Sequence, residues 1–82
     1  MQERLIGRIA IDSGLVRIGD PCYEIPYDSQ AGEKGELKHL GKLDNIGVVQ
    51  ALDLPSPIGD GVFDVYGIYE DDYLVQIVID FT

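Results

Sequence analysis

The sequence predicts an all-β protein, and three observations lead to that prediction. Five short segments alternate apolar and polar residues with the period of two that is typical of half-buried strands. Glycine and proline are concentrated between those segments, where turns are expected. The chain has 82 residues, which fits one domain covering residues 1–82. We therefore expect a small five-stranded antiparallel barrel or sandwich with one long loop.

The first two predicted strands cover residues 5–12 and 15–18. Ser13-Gly14 stands between them, and its glycine tolerates the positive φ that tight turns require. The two strands are therefore expected to pair as a β-hairpin with a two-residue loop. Asp20-Pro21 follows the second strand, and proline has no amide hydrogen to donate to a sheet.

The middle of the chain, residues 24–45, is the least regular stretch and is predicted to be a long loop. Pro26 and three glycines interrupt it. Leucines recur every three positions at Leu37, Leu40 and Leu43, which favours a short helical turn at 36–43. A loop of this length in a small domain is often functional.

Three further strands are predicted at residues 46–52, 62–69 and 73–81. A connection with two prolines and two glycines separates the first two of these strands. Glu70-Asp71-Asp72 is expected at the tip of a hairpin that joins the last two.

The last strand is apolar on one face without interruption and partly apolar on the other. Its continuous face contains Tyr73, Val75, Ile77, Ile79 and Phe81. A strand of this kind is normally central in a sheet or covered on both sides. A homodimer formed through a sheet edge or an apolar face would supply that cover, and we take it as a hypothesis.

The charge of the chain is strongly acidic and unevenly distributed. The net charge is −9, and residues 43–82 contain eight acids but no lysine or arginine. Such a surface repels nucleic acid and anionic membranes and attracts basic proteins, although it also simply keeps a small protein soluble. We expect a protein partner with a basic surface, with no direct nucleic-acid or membrane binding. The binding residues predicted on this basis are Asp53, Asp60, Asp64, Tyr66, Glu70, Asp71 and Asp72.

The sequence offers little for catalysis. Cys22 and His39 are the only cysteine and histidine, and nothing in their spacing supports a nucleophile and base. A zinc site of the soft-ligand type would need several such residues at defined spacing. We therefore predict a non-enzymatic protein with no catalytic residues and no cofactor. One cysteine and a polar N-terminal stretch without a signal-peptide core indicate a cytoplasmic location.

A second function class is a module that binds a small ligand or a cation. Asp20 and Asp60 lie in turns and are candidate oxygen ligands for a hard cation, although aspartate in a turn more often bonds its own backbone. Gly59-Asp60-Gly61 does not continue into a phosphate-binding pattern, and a strand rather than a helix follows it. A tight turn is the favoured interpretation of that tripeptide.

Two sequence stretches resemble a group of small, functionally uncharacterised β-proteins of bacteriophages and bacteria. They are IDSGLVRIGDPCY at residues 11–23 and IGDGVFDVYGIY at residues 58–69, followed by the final hydrophobic strand. The resemblance covers about half of the chain and rests on turn motifs. It implies a compact β-fold and a phage or prophage origin, and it supplies no catalytic residues. The predicted function is a phage-encoded acidic modulator or inhibitor of a host protein.

Overall fold

Two three-stranded antiparallel sheets contain all the regular secondary structure of the described residues. A computed structural model describes residues 1–31, 35–44 and 47–82. The strands are β1 (Gln2–Ile11), β2 (Leu15–Gly19), β3 (Lys38–Lys42), β4 (Val49–Pro55), β5 (Gly61–Glu70) and β6 (Tyr73–Asp80). One sheet has the order β1-β5-β6 and the other has the order β2-β4-β3. The all-β class is confirmed, but the described residues form six strands rather than five, and these strands do not close into a barrel.

The predicted hairpin between the first two strands is wrong. β1 pairs with β5 over almost its whole length, whereas β2 pairs with β4 in the other sheet. The turn after β1 therefore carries the chain from one sheet to the other. A backbone hydrogen bond of 2.8 Å from the amide of Ser56 to the carbonyl of Gly14 holds that turn against the β4–β5 connection. Alternation along a strand sets which face is buried but not which strand becomes its neighbour.

The predicted helical turn at 36–43 is also wrong, because β3 occupies most of that stretch. β3 is an edge strand of its sheet. On one side its backbone amide and carbonyl groups form an antiparallel ladder with β4. The amide of Leu43 donates to the carbonyl of Val48 at 2.8 Å and closes the connection between β3 and β4. Residues 32–34 and 45–46, which belong to the predicted long loop and to the start of the strand predicted at 46–52, lie outside the described residues.

β5 and β6 form a hairpin, as the sequence predicts, but its turn is Asp71-Asp72, and Glu70, which was predicted in the tip, is the last residue of β5. Both turn residues have positive φ, 48° and 67°, which is the geometry of a type I′ turn. The ladder contains an irregularity between Ile68 and Tyr69 that inserts one extra residue into β6. Tyr73 consequently pairs with Glu70 and does not share a face with Ile77, so the apolar face predicted for this strand is interrupted.

The hydrophobic core is small and lies where β2 meets one end of the β1-β5-β6 sheet. Its buried cluster is Ile11, Val16 and Phe63, with Ile9, Ile79 and Phe81 packed against it. Phe63 and Phe81 meet edge to face with ring centroids 5.3 Å apart. The part of the sheet nearer the β5–β6 turn extends beyond this cluster. In the part of the chain that is described, no helix is long and apolar enough to cross a bilayer.

Candidate functional site

Cross-strand pairing gathers acidic side chains on one face of the β1-β5-β6 sheet. Asp64 lies opposite Arg8 of β1 and opposite Asp80 of β6, and Tyr66 lies opposite Val78. Residues that are directly opposed in a sheet share a face, and residues two apart in one strand share it as well. We call this surface the acidic face, and it carries Glu3, Arg8, Asp64, Tyr66, Val78 and Asp80.

The acidic face contains an open depression of about 740 Å³. The residues that line it are Glu3, Tyr66, Val78, Ile79, Asp80, Phe81 and Thr82. The lining therefore combines two carboxylates with aromatic and aliphatic side chains that supply apolar surface. A depression of this kind suits a long side chain with a charged end better than a compact apolar ligand.

Tyr66 contacts Asp64 and lines the same depression as Glu3 and Asp80. Its hydroxyl group donates to Asp64 Oδ2 across 3.5 Å. The negative charge of Asp64 is the largest cause that raises the pKa of Tyr66, followed by desolvation, and the charges of Asp80 and Glu3 act in the same direction. The phenol therefore stays protonated at neutral pH and remains a hydrogen-bond donor to Asp64.

Two of these carboxylates also have partners within the chain. Arg8 Nε donates to Asp64 Oδ1 at 2.9 Å, and both side chains are substantially exposed. Asp80 accepts hydrogen bonds from the hydroxyl and the backbone amide of Thr82, and these bonds lower the pKa of Asp80. Asp80 is therefore ionised at neutral pH. In the described strands Arg8 is the one basic residue on this face, so carboxylates outnumber cations there.

The acids of the hairpin tip do not join this group. Glu70 lies six residues along β5 from Asp64, which corresponds to about 20 Å of strand. Arg4 approaches Asp72 to 3.4 Å and stacks over the ring of Tyr69 at 4.4 Å from its centroid. The predicted binding residues Glu70, Asp71 and Asp72 thus form a separate exposed tip with its own nearby cation.

Asp53 does not belong to an exposed binding surface. It lies on β4, the central strand of the β2-β4-β3 sheet, and is only 2% exposed. Both of its carboxylate oxygens accept hydrogen bonds from Arg17. Asp60 is exposed in the connection before β5 and is not among the residues around Tyr66. Of the seven predicted binding residues, only Asp64 and Tyr66 lie close together; Glu70 shares their face of β5 but lies at its far end.

Of the two candidate cation ligands, Asp20 has a role in its own turn. Asp20 Oδ1 accepts the amide of Cys22 at 3.0 Å, and the Asp20 carbonyl accepts the amide of Tyr23 at 3.1 Å, so this side chain caps its own turn. Over the ranges that the structure describes, no group of three or more histidine, cysteine or acidic residues is arranged to hold a metal ion. Cys22 is exposed and His39 lies on β3.

Sequence reasoning missed Glu3, Arg8, Val78 and Asp80 as neighbours of Tyr66. Each lies at an alternating position of a strand, so its face could be inferred once the strand partners were known. For Glu3 and Arg8 the missing information was the pairing of β1 with β5, which are separated by about fifty residues. For Val78 and Asp80 it was the extra residue in β6, which shifts the register of the predicted hairpin by one.

Comparison with known proteins gives no match to a family model, to a curated protein or to a solved structure. The resemblance to small phage and bacterial β-proteins therefore stays a prediction, and the function has to be argued from the site itself.

Proposed function

We propose that this protein is a non-catalytic binding protein whose acidic face binds a basic surface on another protein. The observation that supports this proposal best is that the Tyr66 hydroxyl donates to Asp64, while Glu3 and Asp80 line the same depression as Tyr66. Three carboxylates and one protonated phenol form a site with many hydrogen-bond acceptors and negative charge.

Guanidinium and ammonium groups are the natural ligands of such a site. A carboxylate accepts two parallel hydrogen bonds from an arginine side chain, and charge-assisted bonds of this kind are among the stronger ones in proteins. Tyrosine is enriched at protein interfaces because its ring supplies contact area and its hydroxyl supplies a polar contact. Val78 adds apolar surface beside Tyr66 for the methylene groups of a bound lysine or arginine.

The net negative charge of the chain also influences which partners it binds and how fast it associates with them. A net charge of −9 on 82 residues favours encounter with basic proteins. This electrostatic attraction weakens steeply as salt is added. Together with the resemblance to phage proteins, this supports a phage-encoded modulator or inhibitor that acts in the host cytoplasm. In its strongest form the carboxylates occupy the positions that phosphates take on a basic nucleic-acid-binding groove.

The proposal is tested by affinity capture of basic proteins at low salt with two variants of equal charge change. The first neutralises the acidic face with Glu3→Gln, Asp64→Asn and Asp80→Asn. The second removes three exposed acids elsewhere with Asp12→Asn, Glu24→Gln and Glu36→Gln. Circular dichroism establishes that both variants fold. We expect the wild type and the second variant to retain basic proteins at low salt and to release them at high salt.

The face variant should lose most of that binding. If both variants bind basic proteins equally well, the attraction comes from net charge alone and the acidic face is not the site. If the wild type recovers no basic protein at low salt, the proposed function is wrong. Where a basic protein is captured, calorimetric titration of that purified protein with the wild type and with the face variant measures the contribution of the acidic face to the dissociation constant.

A further inference from the structure

β6 is an edge strand whose side chains are exposed on both faces of the sheet. Among the described residues it pairs only with β5. Ile77 faces the side of the sheet that carries the core and is 62% exposed, whereas Val78 faces the acidic face and is 44% exposed. A layer packed on one face of the sheet would cover only one of these side chains. A strand added at the edge of β6 would lie beside both.

The chain exposes more surface than folded monomers of the same mass usually do. Folded monomers of 9.0 kDa expose about 4,850 Å². This chain exposes 6132 Å², an excess of roughly 1,300 Å². A standard protein interface buries about 800 Å² on each partner. The radius of gyration of 14.2 Å also exceeds the value of about 11.7 Å expected for this length. The chain as a whole therefore leaves more surface uncovered than a compact monomer of its mass does.

β6 has no lysine, arginine or proline and only one charged residue, so it has little of the usual protection against edge-to-edge pairing. Natural edges carry inward charges, lysine or proline that discourage a second strand. The opposite edge of the same sheet, β1, has Glu3, Arg4 and Arg8 along its length. β6 reads YLVQIVID and has a single charged residue, Asp80, at its end. Its bulge lies near the hairpin turn and leaves residues 76–80 in regular alternation.

We propose that two copies of this chain associate by pairing their β6 strands antiparallel across a two-fold axis centred on Val78, forming one continuous six-stranded sheet. In this register Val78 faces its own copy, Ile77 lies opposite Ile79, and Gln76 lies opposite Asp80. This arrangement places an amide donor against each Asp80 carboxylate and no acid directly against another acid. The part of this overlap in regular alternation covers residues 76–80 of both chains.

Neighbouring registers are less favourable for identifiable reasons. In a continuous sheet, opposed residues must share a face, so the axis moves in steps of one residue. An axis on Gln76 opposes Asp80 with Asp72 of the other copy. An axis on Ile77 opposes Asp80 with Leu74, which the bulge has moved to the other face. An axis on Ile79 opposes Asp80 with Val78, which offers it no hydrogen bond.

Sedimentation equilibrium over micromolar to millimolar protein tests the association. We expect the wild type to reach twice its monomer mass of 9.0 kDa. Val78→Lys places two like charges face to face at the axis and should yield only monomer. The matched control is Val62→Lys, because Val62 is 68% exposed on the same face of the sheet but belongs to β5. That variant should dimerise like the wild type.

A cross-linking measurement tests the register without relying on a variant that dissociates. In a Cys22→Ser background, Val78→Cys brings two thiols next to each other across the axis and should form an intermolecular disulfide in a glutathione buffer. Val62→Cys should remain largely unlinked. A wild type that stays monomeric up to millimolar concentration overturns the proposal and leaves the β6 edge open to a different protein. Equal cross-linking of the two cysteine variants overturns the register.

Discussion

Arg17 and Asp53 form a two-point ion pair across neighbouring strands of the β2-β4-β3 sheet. Arg17 Nε donates to Asp53 Oδ1 at 2.7 Å and Nη2 donates to Oδ2 at 2.8 Å. The two residues are directly opposite in the β2–β4 register. The same guanidinium also donates to the backbone carbonyl of Ile25, so it ties the segment after β2 to the sheet. Hydrogen bonding to Asp53 raises the pKa of Arg17, which is charged at every accessible pH.

We predict that Arg17→Gln strongly destabilises the fold. The substitution leaves the buried carboxylate of Asp53 without its cation, and breaking a buried pair from one side is costly because the remaining charge stays desolvated. We expect the melting temperature to fall by more than about 10 °C for a chain of this size.

The matched control for that prediction is Arg8→Gln. Arg8 also pairs with an aspartate, Asp64, at 2.9 Å, but the two side chains are 62% and 40% exposed. Exposed ion pairs contribute little, so the melting temperature should change by no more than about 3 °C. Thermal unfolding followed by circular dichroism measures both variants. Equal losses would show that burial of Asp53 is not what makes its pair important.

Asp53 also illustrates what the sequence could not reveal about the site. The predicted strand ended at residue 52 because Pro55 and Pro57 indicated a turn. In the structure β4 continues to Pro55, since a proline is tolerated at the end of a strand. Asp53 consequently lies within the sheet opposite Arg17, a residue 36 positions away. Local composition carried no information about that neighbour.

Strand positions were predictable where the pattern is local. The alternation at residues 62–69 locates β5 to within one residue at each end, because β5 spans Gly61–Glu70. The same alternation does not indicate whether β1 pairs with β5 or with β2. Tyr66 and Asp64, which are close in sequence, were therefore predicted together, whereas Glu3 and Asp80 reach Tyr66 only through strand pairing.

We predict that Tyr66 ionises above the ordinary tyrosine pKa of 10.0, because nearby carboxylates disfavour the phenolate. A raised pKa in the folded state means that the folded protein holds this proton more tightly than the unfolded chain does. The corresponding stability is fully present below pH 10.0 and is lost as pH rises through the folded pKa. The phenolate absorbance of the wild type minus that of Tyr66→Phe isolates this titration.

Asp64→Asn should lower the pKa of Tyr66 towards 10.0, because Asp64 is the largest cause of the shift. Asp60→Asn is the matched control, since Asp60 is exposed and is not among the charges that act on Tyr66. A titration midpoint that responds equally to both substitutions would mean that total charge sets the shift. The carboxylates of the acidic face would then not be specifically close to the phenol.

We predict that Asp72→Gly stabilises the β5–β6 hairpin. Asp72 has a φ of 67°, and this left-handed conformation costs a residue with a side chain on the order of 1 kcal/mol. The substitution leaves an Asp-Gly pair, which a type I′ turn favours. It also removes the contact between Asp72 and Arg4, but the Asp72 side chain is almost fully exposed and such a pair contributes little. The melting temperature should therefore rise by a few degrees.

Asp72→Ala separates the two effects at this turn. It removes the carboxylate but keeps a side chain at positive φ, so the melting temperature should fall below that of the wild type. If glycine and alanine both lower the melting temperature, the contact with Arg4 outweighs the backbone conformation.

We predict that Ser56→Ala does not destabilise the protein and raises its melting temperature by a few degrees. The hydroxyl oxygen of Ser56 is buried and has no hydrogen-bond partner among the described residues. A buried hydroxyl without a partner costs on the order of 1 kcal/mol, and alanine removes it while leaving the backbone amide free to donate to Gly14. Ser13→Ala is the control, because the Ser13 hydroxyl oxygen accepts the amide of Leu15 at 3.3 Å, and its loss should lower the melting temperature. A loss of stability in Ser56→Ala as large as that in Ser13→Ala would show that the Ser56 hydroxyl has a partner in solution, such as a bound water molecule.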